Sequence, residues 1–451
     1  MADGPQKAGS VDIKSLKLIS VNNVIVDLKP FFVEANIYED IFSPCMKGEI
    51  LLSDSRNLFE LVGLVGEELI NIEFVTPTMD YPIKKTFRVY KISDRTIVRD
   101  NNTQLLTLHF ASIELFHDII LPVYRAFEGD IDQVAADIFA DYLATNRDYP
   151  INELDKGAQD ADFITPFIIL NGTQNKVKFV SPGWTPFKCL NWLASKAIPK
   201  EGTAKNFLFF ESNKAFYFGS IEYVLKETLQ NNKTIGTYYK SASNFREGDL
   251  NMSNHLNREY FIARDVNMVE TTDHIKNYTN GYLASRLYHL DIHNKKYEII
   301  DYDYVQEYNK QWHTAGFGEY AYPVFTKDSL RNFATHISYY PKNPKLFDNF
   351  KDNINEKMNE IYGNRLSSLL DLSNIKLNIT VPGRTDVEVG KVLYFSYPSL
   401  GGKADEDVNK NKEDKQYSGY YIVTAIRHKI NFNDHSMSME CVKDSLYTAD
   451  R

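Results

Sequence analysis

Three cysteines in 451 residues, Cys45, Cys189 and Cys441, are too few, too scattered and odd in number for a disulfide framework or a zinc knuckle. Basic residues are short as well. Against 60 Asp and Glu stand 51 Lys and Arg, a formal charge of 51 − 60 = −9. A typical nucleic-acid-binding domain carries the opposite footprint and is excluded, whereas a surface that DNA passes without sticking is not. No run of eighteen apolar residues occurs, so no membrane-spanning helix is expected. The opening MADGPQKAGS lacks the apolar stretch of a signal peptide. These absences point to a soluble protein folded in a reducing cytoplasm. What is abundant is Tyr (29) and Phe (28), a bias toward extended β structure.

The pattern along the chain agrees. From 11 to 118, short alternating runs such as LINIEF (69–74), TFRVY (86–90) and LLTLHF (105–110) follow one another without a long helix, as in an antiparallel barrel or sandwich. A short helical patch at 55–64 is placed to plug an opening. The period then changes. Asp130 with Gln133 three residues on predicts a capping box, with Ile131, Val134, Ile138 and Tyr142 on one helix face. Thr185-Pro186 predicts a second helix start, and FLFFE (207–211) with AFYF (215–218) a hairpin across Ser212-Asn213-Lys214. Later, Phe347, Phe350, Ile354, Met358 and Ile361 recur at helical steps, and Ile375, Leu377, Ile379 and Val381 alternate as a strand.

The C-terminal region echoes the N-terminal one. GEELINIEF (66–74) resembles GKVLYFSY (390–397), and FRVYKISDRTIVRDNNTQLLTLHFAS (87–112) resembles YIVTAIRHKINFNDHSMSMECVKD (421–444). GEILLSD (48–54) has a further partner in GYLASRL (281–287). Order and spacing favour two copies of one β domain. The expected fold is mainly β with α+β insertions. It comprises a flexible tail (1–10), a first antiparallel barrel (11–118), a middle α+β domain (119–236), a second, discontinuous barrel (237–304 and 371–451) and a polar, helical insertion (305–370). Two similar barrels per chain, set in a three-fold ring, present six near-equivalent units around one axis, which seats a six-fold ring on one face and a three-fold partner on the other.

Chemistry is sparse. There is no Gly-x-Ser-x-Gly elbow, no phosphate loop and no His-Glu-x-x-His. His289 and His293 have metal-ligand spacing, but YHLDIH alternates like a strand and sets His289, Asp291 and His293 on a solvated polar face. Glu39-Asp40 and Asp405-Glu406-Asp407 fall in expected loops as solvated charge rather than acid–base pairs. Cys189, beside Phe187 and Leu190, reads as a buried structural thiol. The aromatic hairpin at 207–218 reads as core, not as a carbohydrate platform, which would favour Trp; only Trp184, Trp192 and Trp312 occur. No catalytic, cofactor-binding, metal or interface residue is assigned, and no cofactor is expected.

Five segments carry a family resemblance over roughly 330 residues: 112–139, 183–197, 207–225, 281–298 and 418–430. Their order is similar to that of the baseplate central hub proteins of contractile-tailed, T-even-like bacteriophages. The resemblance implies tail-tube-like barrels in a homotrimeric, pseudo-six-fold ring that joins the hexameric tail tube, or its initiator ring, to the trimeric spike. DNA would pass through its lumen without specific binding, among other baseplate proteins of a virion assembled in the host cytoplasm. The net charge predicts surplus acidic residues toward that lumen. The polar segment Gln306 to Lys342 and the charged insert Lys403 to Lys415 have no place in the family pattern. Two other readings are a hub-like trunk of a type VI or contractile-injection spike and a tail-associated cell-wall hydrolase. Because the last strand ends close to Arg451, the spike is expected to be a separate chain.

Overall fold

The computed structural model describes residues 7–445 except 56, 58, 59, 61, 78, 80, 99–102, 145–164, 241–257, 271–272, 318–335, 343–353, 400–412 and 415. Seven strands come first: β1 (Asp12–Ile19), β2 (Ile25–Asp27), β3 (Phe32–Asp40), β4 (Lys47–Asp54), β5 (Leu69–Val75), β6 (Ile83–Val98) and β7 (Thr103–Ser112). They pair in the order β3-β4-β7-β6-β5-β1-β2. Alternation puts Ile37, Ile50, Phe74, Phe87 and Leu108 on the inner face, where they form one apolar cluster.

The middle region is α+β. It holds helices α1 (Ile113–Ile120), α2 (Ile131–Ile138), α3 (Pro186–Lys196) and α4 (Ile221–Gln230). Its strands are β8 (Ala126–Asp130), β9 (Phe167–Ile169), β10 (Lys176–Val180), β11 (Phe207–Glu211) and β12 (Phe216–Ser220). Thr185 caps α3 by accepting from the Lys188 N–H at 3.4 Å. The capping box expected at Asp130 does not form; Gln133 donates instead to Asp137, one turn on. The predicted hairpin is present as β11–β12, with Phe207, Phe209, Phe216 and Phe218 all buried in the core of this region.

Then follow β13 (Thr237–Tyr239), β14 (Asp265–Glu270), β15 (Ala284–Asp291), β16 (Lys296–Asp303), β17 (Trp312–His313), β18 (Gly316–Phe317), β19 (His336–Lys342), helix α5 (Ile354–Asp371), β20 (Ile375–Pro382), β21 (Val392–Ser396), β22 (Gly419–Asn431) and β23 (His435–Lys443). The stretch 237–304 divides between sheets: β13 and β14 join the large sheet, whereas β15 and β16 form a separate sheet with β19. That small sheet packs one face on α5.

The expected mainly-β architecture with α+β insertions is present, but no closed barrel forms among the described residues. β22 pairs with β3, from Ala425 opposite Asp40 to Asn431 opposite Glu34. Hydrogen bonds that would close each half on itself therefore join the halves, and all the strands of both sets lie in one 13-stranded sheet. Its order is β14-β20-β23-β22-β3-β4-β7-β6-β5-β1-β2, with β21 on β22 and β13 on β21.

The internal repeat lies in this order. β14-β20-β23-β22-β21 runs as β3-β4-β7-β6-β5 does. A bulge between Val89 and Lys91 in β6 matches one between Val423 and Ala425 in β22. Gly66 before β5 and Gly390 before β21 both adopt positive φ, 93° and 77°. Two of the three segment pairs seen in the sequence thus coincide with equivalent strands. The third does not: β4 corresponds to β20, while 284–287 begins a strand of the separate sheet.

Candidate interface

The seam between the halves holds buried polar groups that the sequence did not announce. Glu39, expected in a loop, is the penultimate residue of β3, with 1% of its surface exposed. A carboxylate so placed needs partners to offset its desolvation. One oxygen lies 3.1 Å from His428 Nε2, and the other accepts the Val389 N–H at 3.4 Å. The His428 Nδ1 lies 3.1 Å from His435 Nε2. The other ring nitrogen, His435 Nδ1, is buried without a hydrogen-bond partner. Burial, then the neighbouring His428, holds the His435 imidazole well below its usual pKa.

Hairpin β11–β12 brackets the seam from the middle region. Glu211, at the end of an otherwise apolar strand, accepts the Met46 N–H at 2.6 Å and the Ser112 hydroxyl at 2.6 Å, and pairs with buried Lys85. All three partners belong to the first half. On the other side Ser212 and Tyr217 donate to Glu388 at 2.9 and 3.1 Å, and Asn213 donates to the Val387 carbonyl at 3.0 Å, both in the second half. Burial, and next the Glu211 charge, push Glu114 up to about 7.

Outward from the seam the sheet is polar and charge-balanced. Lys429 pairs with Glu34 at 3.2 Å, Lys376 with Glu440 at 3.7 Å, and Arg427 donates to Asn36 at 3.0 Å. Tyr38 donates to Glu49 at 3.3 Å. A groove of about 440 Å³ opens here between Tyr38, Asp40, Asp265, Asn378, Arg427 and Glu440. Burial, then the Glu440 charge against the Phe42 N–H, leaves the Asp40 carboxyl above its ordinary range. Carboxylates Glu34, Asp40, Glu49, Asp265 and Glu440 alternate with cations Lys47, Lys376, Arg427 and Lys429 on this face. The acidic surplus expected for a channel lining is not concentrated here.

Other sequence-singled residues are scattered. His289 lies on the buried face of β15 with Ser285 and Leu287, because that face packs on α5 and not on solvent; burial lowers its pKa. Asp291 ends the strand and His293 falls in the following turn, so the three do not share a face. Among the described residues no three ligating side chains cluster as for a metal. Cys189 is fully buried, 3.5 Å from Ser181 Oγ, and burial raises its thiol pKa. Trp184 and Trp192 meet edge to face at 5.7 Å in the middle region, far along the chain from Trp312 in β17. The Asp405-Glu406-Asp407 run, most of the Lys403 to Lys415 insert and much of the Gln306 to Lys342 segment lie outside the described residues.

No family profile matches the chain. It is 21% identical over 429 residues, 91% of its length and 89% of the relative's, to a probable baseplate hub protein of Vibrio phage KVP40. The resemblance to baseplate hub proteins therefore spans nine-tenths of the chain. Among solved structures it is similar to a tail protein from Neisseria meningitidis, with a TM-score of 0.49, 10% identity, and 97% and 98% of the two chains covered. A 43 kDa prophage tail protein from Shewanella oneidensis gives 0.47 at 8% identity, covering 95% and 98%. A type VI secretion component from E. coli gives 0.41 at 7%, covering 98% and 79%.

Proposed function

We propose that this chain is the hub subunit of a contractile-tail baseplate, a homotrimer without enzymatic activity. The observation that carries the reading is the five-strand unit that occurs twice within one continuous sheet. Three such chains in a ring present six similar units, so one face can match a six-fold tail tube while the assembly keeps the three-fold symmetry of a spike. The sequence relative, a probable hub protein covered over 89% of its length, supports it.

The polar face of the shared sheet is the surface best suited to line a channel for DNA. Three of its cations, Lys429, Lys376 and Arg427, already have partners at Glu34, Glu440 and Asn36, which reduces the open sites for phosphates. Passage without sticking then rests on pairing rather than on an excess of negative charge. Native mass measurement of the purified chain, alone and with its neighbouring spike protein, should give a three-chain species; a monomer under both conditions overturns the proposal.

A further inference from the structure

The seam inside the chain is a template for the seam between chains. In the second half, β22 is shared: residues 419–422 pair with β21, and 425–431, on the same side, pair with β3. Its counterpart β6 begins the same way, with 83–88 pairing with β5. Beyond the matching bulge, however, 91–98 have no strand on that side among the described residues. The counterpart of β3 is β14, which pairs only with β20 and leaves its other edge open among the described residues. One chain thus carries both halves of a second seam: the outer edge of β14, at one end of the sheet, and the stretch 91–98 of β6 in the other half.

We infer that β6 of one chain pairs antiparallel with β14 of the next copy, in the register that β22 and β3 use internally. The shared ladders dictate that register. Ile97 stands opposite Gln104 as Ile430 stands opposite His435, so Ile97 takes the place of Ile430. Val266 stands opposite Ile379 as Ala35 stands opposite Ile50, so Val266 takes the place of Ala35. Ile430 and Ala35 face each other across the internal seam. Ile97 and Val266 therefore face each other between chains, and on the polar face Thr96 meets Asn267, as Lys429 meets Asn36.

Exposure supports the assignment. Ile430 is 2% exposed in its seam, whereas Ile97, at the equivalent position, is 76% exposed. A large apolar side chain on an open edge is a liability unless a partner covers it. The contact is head to tail, with different edges on the two partners, so it propagates around a ring until the ring closes. The inference rests on the homotrimer proposed above for its copy number, but not for its register.

The test is cross-linking of the full chain. The native cysteines are all buried, so introduced thiols dominate the oxidation. Directly opposed strand residues lie within disulfide reach. Ile97→Cys with Val266→Cys, under a mild thiol oxidant, should shift the monomer band to linked species ending at three chains. Each single variant should stay monomeric on a denaturing gel. Should the first pair fold poorly, Thr96→Cys with Asn267→Cys reads the same register from the polar face. A native trimer in which neither pair cross-links overturns the seam alone. A ladder running past three chains upholds the seam and overturns the trimer. A wild-type chain that is monomeric by native mass measurement, with both double variants unlinked, overturns both.

Discussion

The two five-strand units share a backbone plan but fill it with opposite side chains. At one core site the first unit sets Gly48 against Phe110; the second sets Leu377 against Cys441. The large residue comes from β7 in one case and from β20 in the other. A Cβ on Gly48 would lie 2.4 Å from the Phe110 ring, so glycine is a packing requirement there. The edges differ as well. β22 carries His428 and meets Glu39 in a closed polar seam, while β6 turns a second bulge, between Ser93 and Thr96, and ends in exposed Ile97. Such compensation means that volume and ladder register hold the plan, while the residues themselves are free to change hands.

The sharpest break should come at the seam. Glu39→Ala leaves two buried groups, His428 Nε2 and the Val389 N–H, without their acceptor, at about 1–3 kcal/mol each, read as a loss of unfolding free energy in denaturant. Leu377→Ala should cost about 2–5 kcal/mol by opening a cavity. Gly48→Leu should cost about 1–3 kcal/mol or more through the clash with Phe110 and with the Asn36 carbonyl oxygen, 2.6 Å from the added Cβ. Adding Phe110→Cys to Gly48→Leu copies the second unit's solution into the first. The double variant should recover the part of the loss due to the Phe110 ring, leaving the part due to the Asn36 carbonyl; a double variant less stable than the single would show that the two units are not packed on one plan.

A subtler test uses acid. His435 has a folded pKa below that of the unfolded chain, so the unfolded state binds the extra proton. Stability from this site is present above about pH 6.5 and is lost as pH falls below it. Asp444 holds His313 in the opposite sense: the folded pKa is raised despite burial, so its contribution is present below about pH 6.5 and fades as pH rises through the folded value. Melting temperature against pH should therefore fall on the acid side in the wild type and fall less in His435→Gln. The smallest effect belongs to the solvated face: Lys429→Ala, which removes the half-exposed pair with Glu34, should change stability by no more than about 1 kcal/mol.

Much of the fold was legible wherever the signal is local. Thr185-Pro186 caps α3 by its own chemistry, and the β5–β6–β7 and β21–β22–β23 meanders are contiguous, so their likeness survives in a linear comparison. The remaining members of the repeat, β3 and β4 against β14 and β20, were not legible. The exchange of Gly48 for Leu377 erases residue similarity, and the small sheet and α5 intervene between β14 and β20. Glu39-Asp40 looked like loop charge because a turn at Ser43-Pro44 follows closely. Its burial depends on a histidine 389 residues away. Glu211 was hidden similarly, as one acidic residue closing an aromatic run whose cation, Lys85, lies in another region.

That separation has a consequence for biosynthesis. β3 leaves the ribosome well before its partner β22, which is nearly four hundred residues downstream. At translation rates of about 5–20 residues per second, the edge of β3 waits on the order of tens of seconds for its permanent neighbour. In that interval it can pair with the same strand of another nascent chain on the same message. Slow elongation or a chaperone that covers residues 34–40 should therefore govern the yield of folded chain more than the stability of the finished sheet does.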